Sequence, residues 1–171
     1  MAARAMEHAQ PLSEFFHPRL VGVEALAPYR LRTSWSTGET LEADIGHLLR
    51  RIPALAPLLD PDTFAKAHLA EWGNGIEWFD AELGADNIYA LAKEQAGEAS
   101  HQMFGDWMRR NHLSLSAAAA AIGMSRRMVS YYRTAQKPIP RAIWLACLGW
   151  EATKPRAGAL LPRTLPIAQA A

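Results

Sequence analysis

The sequence predicts two folding units in tandem: an α+β domain, built from a small antiparallel sheet with short helices, and then an all-α domain of four to five helices. Three observations predict this. The chain has 171 residues, enough for two small domains, since domains mostly hold roughly 50 to 200 residues. Its apolar residues recur with a period of two before a polar passage at 95–100 and with a helical period after it. Its net charge of +1 divides near the same place: residues 1–100 hold 8 Lys+Arg against 15 Asp+Glu, and residues 101–171 hold 10 against 2. Such asymmetry is expected of an acidic module joined to one that binds a polyanion.

Composition removes several classes of function. Hydrophobic residues make up 50% and charged residues 20% of the chain, which suits packed cores and excludes disorder as the main state. The longest apolar run, Ala142 to Trp150, falls well short of the roughly 20 residues that span a bilayer. The first twenty residues lack the apolar core of a signal peptide, so a soluble, cytoplasmic protein with no membrane partner is expected. A single cysteine, Cys147, allows neither an internal disulfide nor a multi-thiolate zinc site, and its apolar neighbours predict burial. No metal or cofactor is expected. The six histidines are scattered, and His101 and His112 stand 11 apart, so they do not share adjacent helical turns as a zinc pair needs.

Residues 1–18 lack periodicity, hold Pro11 and Pro18, and read as a mobile arm before a domain at 19–96. Leu20 to Leu26 reads as a strand. Leu31, Thr33 and Trp35 then alternate with Arg30, Arg32 and Ser34, and Leu41, Ala43 and Ile45 alternate with Glu42 and Asp44 after a turn at Gly38. That pattern is a hairpin with one wet face, its glycine supplying a positive φ. Gly46 to Ile52 reads as a short helix carrying Leu48, Leu49 and Ile52 to the sheet, stopped by Pro53 and Pro57. Asp60 is placed to cap a helical turn opened by Pro61. A second hairpin is predicted from Ala67 to Trp72 and Ile76 to Phe79 around Gly73-Asn74-Gly75. Asp86 would cap a helix with Ile88, Leu91, Ala92 and Gln95 on one stripe.

Arg19-Leu-Val-Gly-Val-Glu, Tyr29-Arg-Leu, Gly38-Glu-Thr-Leu, Leu58-Leu-Asp-Pro, Gly75-Ile-Glu-Trp and Asp86-Asn-Ile-Tyr89 follow in this order. In this the segment resembles a small bacterial domain family of unknown function, often found beside helix-turn-helix or antitoxin-like modules. The resemblance implies a fold and a neighbourhood, with no activity attached. Asp44 and His47 could form an acid-base pair, but both fit the ends of a strand and a helix. With no nucleophile elbow, phosphate loop or second metal ligand, no enzyme is expected.

The second domain is expected at 101–153. Phe104, Trp107 and Met108 form an i, i+3, i+4 stripe on its first helix. Ser114 can cap a second helix whose Ala118, Ala119, Ala121 and Ile122 make a narrow face, and Gly123 can end it in the left-handed conformation. Met124 fills the corner, Ser125 caps a third helix, and Val129 and Tyr132 return to the core. The spacing of Ala119, Gly123, Val129 and Tyr132 places a small contact residue, a turn glycine and two core residues as a helix-turn-helix requires. Leu113 to Tyr132 thus resembles the phage-repressor or Xre-type helix-turn-helix.

That resemblance implies double-stranded DNA as partner and the third helix as the recognition helix. Arg126, Arg127, Met128 and Tyr131 would enter the major groove, with arginine suited to guanine O6 and N7 and Met128 to a thymine methyl. Ser114, Ser116, Ser125, Ser130, Arg133 and Lys137 would hold phosphates. The family usually carries a glutamine at the start of the second helix, where this chain has Leu115. A fourth helix follows Pro138-Ile-Pro140, with Pro140 in its first turn and Ile143, Trp144, Cys147, Leu148 and Trp150 on one broad surface. This surface either packs inside the protein or joins two copies in a homodimer. Residues 154–171 read as a flexible, proline-containing tail. A regulator of transcription, autoregulatory in the manner of an antitoxin, is the expected function. The alternative is an adaptor whose acidic N-terminal domain binds a protein partner.

Overall fold

The computed structural model describes residues 16–154. The tail assigned to 154–171 lies outside it but for Lys154, as does the arm at 1–18 but for its last three residues. Of those three, Phe16 and Pro18 are packed and His17 is exposed. The Phe16 ring meets Trp35, Tyr89 and His101 at centroid distances of 6.2, 5.6 and 5.0 Å, and Pro18 is buried.

The N-terminal half is an antiparallel α+β unit, as the alternation predicts. Strands β1 (Leu20–Leu26), β2 (Arg30–Trp35) and β3 (Thr40–Asp44) form a meander in that order. On β2, Leu31, Thr33 and Trp35 are buried while Arg30 and Arg32 face water. Arg32 bridges Glu24 at 2.8 Å and Glu42 at 3.0 Å across the wet face, the cross-strand pairing that the register places side by side. Helix α1 (Gly46–Arg51) follows. It ends at Arg51, before the prolines expected to stop it, with Ile52 extended at φ −103° and ψ 110°; a separate 3₁₀ segment, Pro53–Leu59, follows, since i→i+3 bonding tolerates the missing amides. Asp60 caps α2 (Pro61–Phe64) by accepting from the Thr63 amide at 2.9 Å.

The second sheet corrects the sequence reading. The strand expected over Ala67 to Trp72 is only β4 (His68–Leu69); Glu71–Gly73 is a 3₁₀ turn with Trp72 at φ 62°. A Cβ on Gly73 would stand 2.2 Å from the Leu20 carbonyl oxygen, so the turn folds onto β1 too closely for the strand to continue. Strand β5 (Gly75–Trp78) pairs with β4 and with an unexpected strand, β6 (Ala81–Gly84), to give the order β4-β5-β6. Helix α3 (Ala85–Gln95) has Gly84 at its N-cap, and Asp86 lies inside the first turn instead of capping it. Gln95 is exposed, not part of the apolar stripe; its amide clamps β3 through Asp44 N at 2.7 Å and Asp44 O at 2.8 Å. Both sheets and α3 enclose one core, with Leu31, Ile45, Leu49, Ile76 and Ile88 fully buried.

The C-terminal half is helical: α4 (His101–Arg110), α5 (Leu115–Ile122), α6 (Arg126–Arg133) and α7 (Arg141–Thr153). Phe104, Trp107, Ala118, Val129 and Cys147 fill its core. Pro140 sits at the N-cap of α7, one residue before the turn expected to hold it. The broad surface expected on that helix is divided: Cys147 is buried and Trp150 meets Trp107, whereas Leu148 is 40% exposed. Burial also pushes the Cys147 thiol up to about 12.

The two halves meet around Phe16. The His17 amide donates to the Thr134 carbonyl at 2.9 Å, and Ala135 belongs to the N-terminal core. Lys93, buried beside the junction, donates to Glu39 and Glu98. Burial alone would lower its pKa, but the two carboxylates reverse this and raise it.

Candidate nucleic-acid interface

The segment from α5 to α6 is fixed by local chemistry. Ser114 Oγ accepts from the Ala117 amide at 3.1 Å, and Ser125 Oγ accepts from the Met128 amide at 3.2 Å. Each serine thereby satisfies one of the orphan donors that open a helix. Between them Gly123 takes φ +66° and the Met124 amide donates to the Ala119 carbonyl at 2.9 Å, which closes α5 and turns the chain within three residues. Val129 and Tyr132 then anchor α6 to the core. With that face committed, the helical period turns Arg126 and Arg127 outward, and both are exposed.

Leu115, Arg126, Arg127, Ser130 and Tyr131 line one open recess. The start of α5 and the outer face of α6 therefore form one surface. Neither helix contains an acid. In the rest of this half Asp106 pairs with Arg109, and Glu151 is held by Arg110 at 2.7 Å and Asn111 at 3.0 Å. Those bonds lower the Glu151 carboxyl to about 2, so the acids of this half are engaged away from the recess. Arg127 Nε donates to Tyr131 Oη, while the guanidinium carbon stands 5.2 Å from the ring centroid. The arginine thus meets the hydroxyl edge of the ring, and its outer nitrogens are not needed for this bond.

Of the residues singled out in the sequence, Arg126, Arg127, Ser130 and Tyr131 share the recess. Ser116 is exposed in the first turn of α5, and Arg133 is half-buried at the end of α6. Ser114 and Ser125 are caps, with their hydroxyl hydrogens left to donate outward. Met128 is half-buried against the C-terminal core. Lys137 is not brought to this surface; it lines the crevice between the halves with Lys93, Glu98 and His101. Sequence reasoning overlooked the Arg127–Tyr131 bond, although their i, i+4 spacing was its signal. It also treated Leu115 only as a departure from a family pattern, whereas its side chain forms part of the recess wall.

No carboxylate-imidazole pair is built from Asp44 and His47. Asp44 Oδ1 accepts from the Gly46 amide at 2.8 Å, and His47 is exposed. Among the described residues no group of His, Cys, Asp and Glu could hold a metal, and no helix is long and apolar enough to cross a membrane.

Residues 20–94 match the family described as "Protein of unknown function (DUF2442)". No curated protein matches the chain. The fold is similar to the crystal structure of "Putative DNA Binding Protein NE0471 from Nitrosomonas europaea", with a TM-score of 0.81 and 69% sequence identity. The similarity covers 90% of this chain and 98% of that one. The chain belongs to the same family as this Nitrosomonas europaea protein, and its N-terminal half carries the domain of unknown function.

Proposed function

We propose that this protein binds double-stranded DNA sequence-specifically through α5 and α6 acting as a helix-turn-helix, and that it regulates transcription in a bacterium. The observation that carries this reading is the recess at the start of α5 and the outer face of α6, where Arg126 and Arg127 project with no acid on either helix. A recognition helix presents its early side chains to base edges while the preceding helix crosses the backbone. In that pose Arg126 and Arg127 reach bases, and Ser114, Ser116 and Ser125 donate to phosphates. The name of the Nitrosomonas europaea protein supports the same partner. The acidic N-terminal half stays off DNA by charge and is left to sense or to dock.

Selection of bound duplexes from a random pool with the full chain tests this. A consensus sequence is expected. Replacing Arg126 or Arg127 with Ala should then weaken the selected site by roughly 1–3 kcal/mol and relax one base position, whereas loss of a phosphate contact weakens all sequences alike. Binding that is absent even at low salt refutes DNA recognition; binding without preference leaves only polyanion attraction.

One observation favours a second reading, in which the N-terminal unit docks a protein and DNA binding is subordinate, as in a toxin-neutralising adaptor. Trp72 is 75% and Phe79 93% exposed on this unit. If residues Trp72 and Phe79 carry the cellular effect while Arg126→Ala and Arg127→Ala change nothing in cells, this reading replaces the first.

A further inference from the structure

We propose that the crevice between the two halves binds a small monovalent anion of halide size, held by His101, Tyr132 and Lys137. The crevice is bounded by α3, by the link from α3 to α4, and by the last turn of α6 with the link to α7. Three side chains that line it lack partners. Among the described residues the His101 ring makes no hydrogen bond although His101 is only 9% exposed, and its Nδ1 is buried. The Tyr132 hydroxyl, on a residue 3% exposed, makes none either, and the exposed Lys137 ammonium has no ion pair. Buried polar groups are ordinarily hydrogen-bonded, and leaving one unmet costs stability. Three unmet groups on one crevice point to a ligand that meets them.

The unmet groups are donors. Tyr132 offers an O–H, neutral His101 an N–H, and Lys137 three N–H on a full positive charge. The carboxylates close by are already engaged: Glu98 holds Lys93 at 3.0 Å, and Glu39 accepts from Lys93 and, at 2.9 Å, from Tyr89. Asp86 acts on His101 from a distance and is not part of the crevice wall. Ser100 and His101 are the cap and the first residue of α4, a helix of 10 residues, so the positive end of its dipole lies here too. What this set of groups calls for is a negative acceptor.

Size narrows the class. About 10 Å³ of the crevice can hold the centre of a water-sized group, which is room for roughly one water. A nucleotide, an amino acid or a tetrahedral oxyanion does not fit, whereas a single-atom anion does. A water fits too, but it brings no charge to Lys137 and is the competing occupant. Because Tyr132 anchors α6 and Lys137 follows that helix, an anion here ties the end of α6 to the start of α4. If the DNA reading above holds, the ion steadies the recognition helix; the site itself is tested without DNA.

The experiment titrates full-length protein with chloride against gluconate at fixed ionic strength and neutral pH, following the ring signals of His101 and Tyr132 by NMR and the melting temperature. Gluconate is too large to enter. Chloride should shift both rings saturably with a Kd of about 1–30 mM, and melting should rise with occupancy as mass action requires. Lys137→Gln, an exposed change, should raise that Kd at least about tenfold through loss of a charged hydrogen bond, while Lys137→Arg retains binding. Tyr132→Phe should weaken it as well, and exposed Lys154→Gln should leave it unchanged. Crystals grown in bromide should show an anomalous peak between Tyr132 Oη and the His101 ring. Equal shifts in both salts, shifts that do not saturate, an unchanged Kd in Lys137→Gln, or a water in the crevice of the bromide crystals overturns the proposal. So does an adventitious ion only, seen at crystal concentration and not in solution. Chloride binding by a protein that binds no DNA keeps this site and rejects only the DNA reading.

Discussion

Tyr131→Phe tests whether the bond across α6 serves recognition. Tyr131 is half-buried on the outer part of α6, and its hydroxyl accepts from Arg127 Nε, so the change removes one oxygen and leaves the ring. Without that bond, Arg127 regains rotamer freedom; ordering a long side chain costs up to about 2 kcal/mol, and an exposed hydrogen bond returns roughly 0.5–1.5 kcal/mol. Because Arg127 would otherwise be ordered before DNA arrives, Tyr131→Phe should weaken the selected site by about 0.5–1.5 kcal/mol, a two- to twelve-fold rise in Kd. Arg127→Ala should cost more, and the double variant little beyond Arg127→Ala alone. The assay is fluorescence anisotropy at one fixed salt concentration, with the four proteins of the double-mutant cycle. Additive losses, or wild-type affinity in Tyr131→Phe alongside a strong Arg127→Ala defect, would refute preorganisation of Arg127 by Tyr131.

Two further outcomes follow from the backbone and from a buried histidine. Gly123→Ala places a Cβ at φ +66°, a strain of about 1–2 kcal/mol, so calorimetry should show melting lowered by roughly 2–8 °C at this chain length; an unchanged melt would show that the α5–α6 turn relaxes freely. His101 is buried, its Nδ1 has no hydrogen-bond partner, and burial lowers its pKa to about 4 from 6.5. A histidine depressed in the folded state contributes its full stability above the unfolded value near 6.5, and that contribution is lost as pH falls toward 4. Denaturant midpoints should therefore fall between pH 7 and 5, and His101→Leu should flatten this range. Glu39 and Glu151, held below the ordinary 4.5, lose their contribution only in more acid solution. Parallel curves for His101→Leu and wild type would remove His101 as the cause.

Much of this fold was legible because it is decided locally. Alternation around Gly38 and the serines at 114 and 125 act through bonds and pleats a few residues long, and the hairpin and the caps stand where those signals lie. The outward turn of Arg126 and Arg127 was legible too, since Val129 and Tyr132 dictate which side of α6 faces the core. β6 was not legible: its four residues, Ala81–Gly84, carry too little pattern and become a strand only by pairing with β5. Lys137 shares the polarity of the α6 arginines, yet the chain after Thr134 carries it to the other crevice. Nor could periodicity divide α7, which is apolar on every side from Ala142 to Trp150; α4 and α5 decide which of these residues are covered. The sequence by itself therefore determined the two units, their charges and the turn between α5 and α6. The packing of Phe16 on His101, the clasp of Lys93 on Glu39 and the bare face of α7 were decided by tertiary structure, because each depends on residues that meet only when distant parts of the chain are brought together.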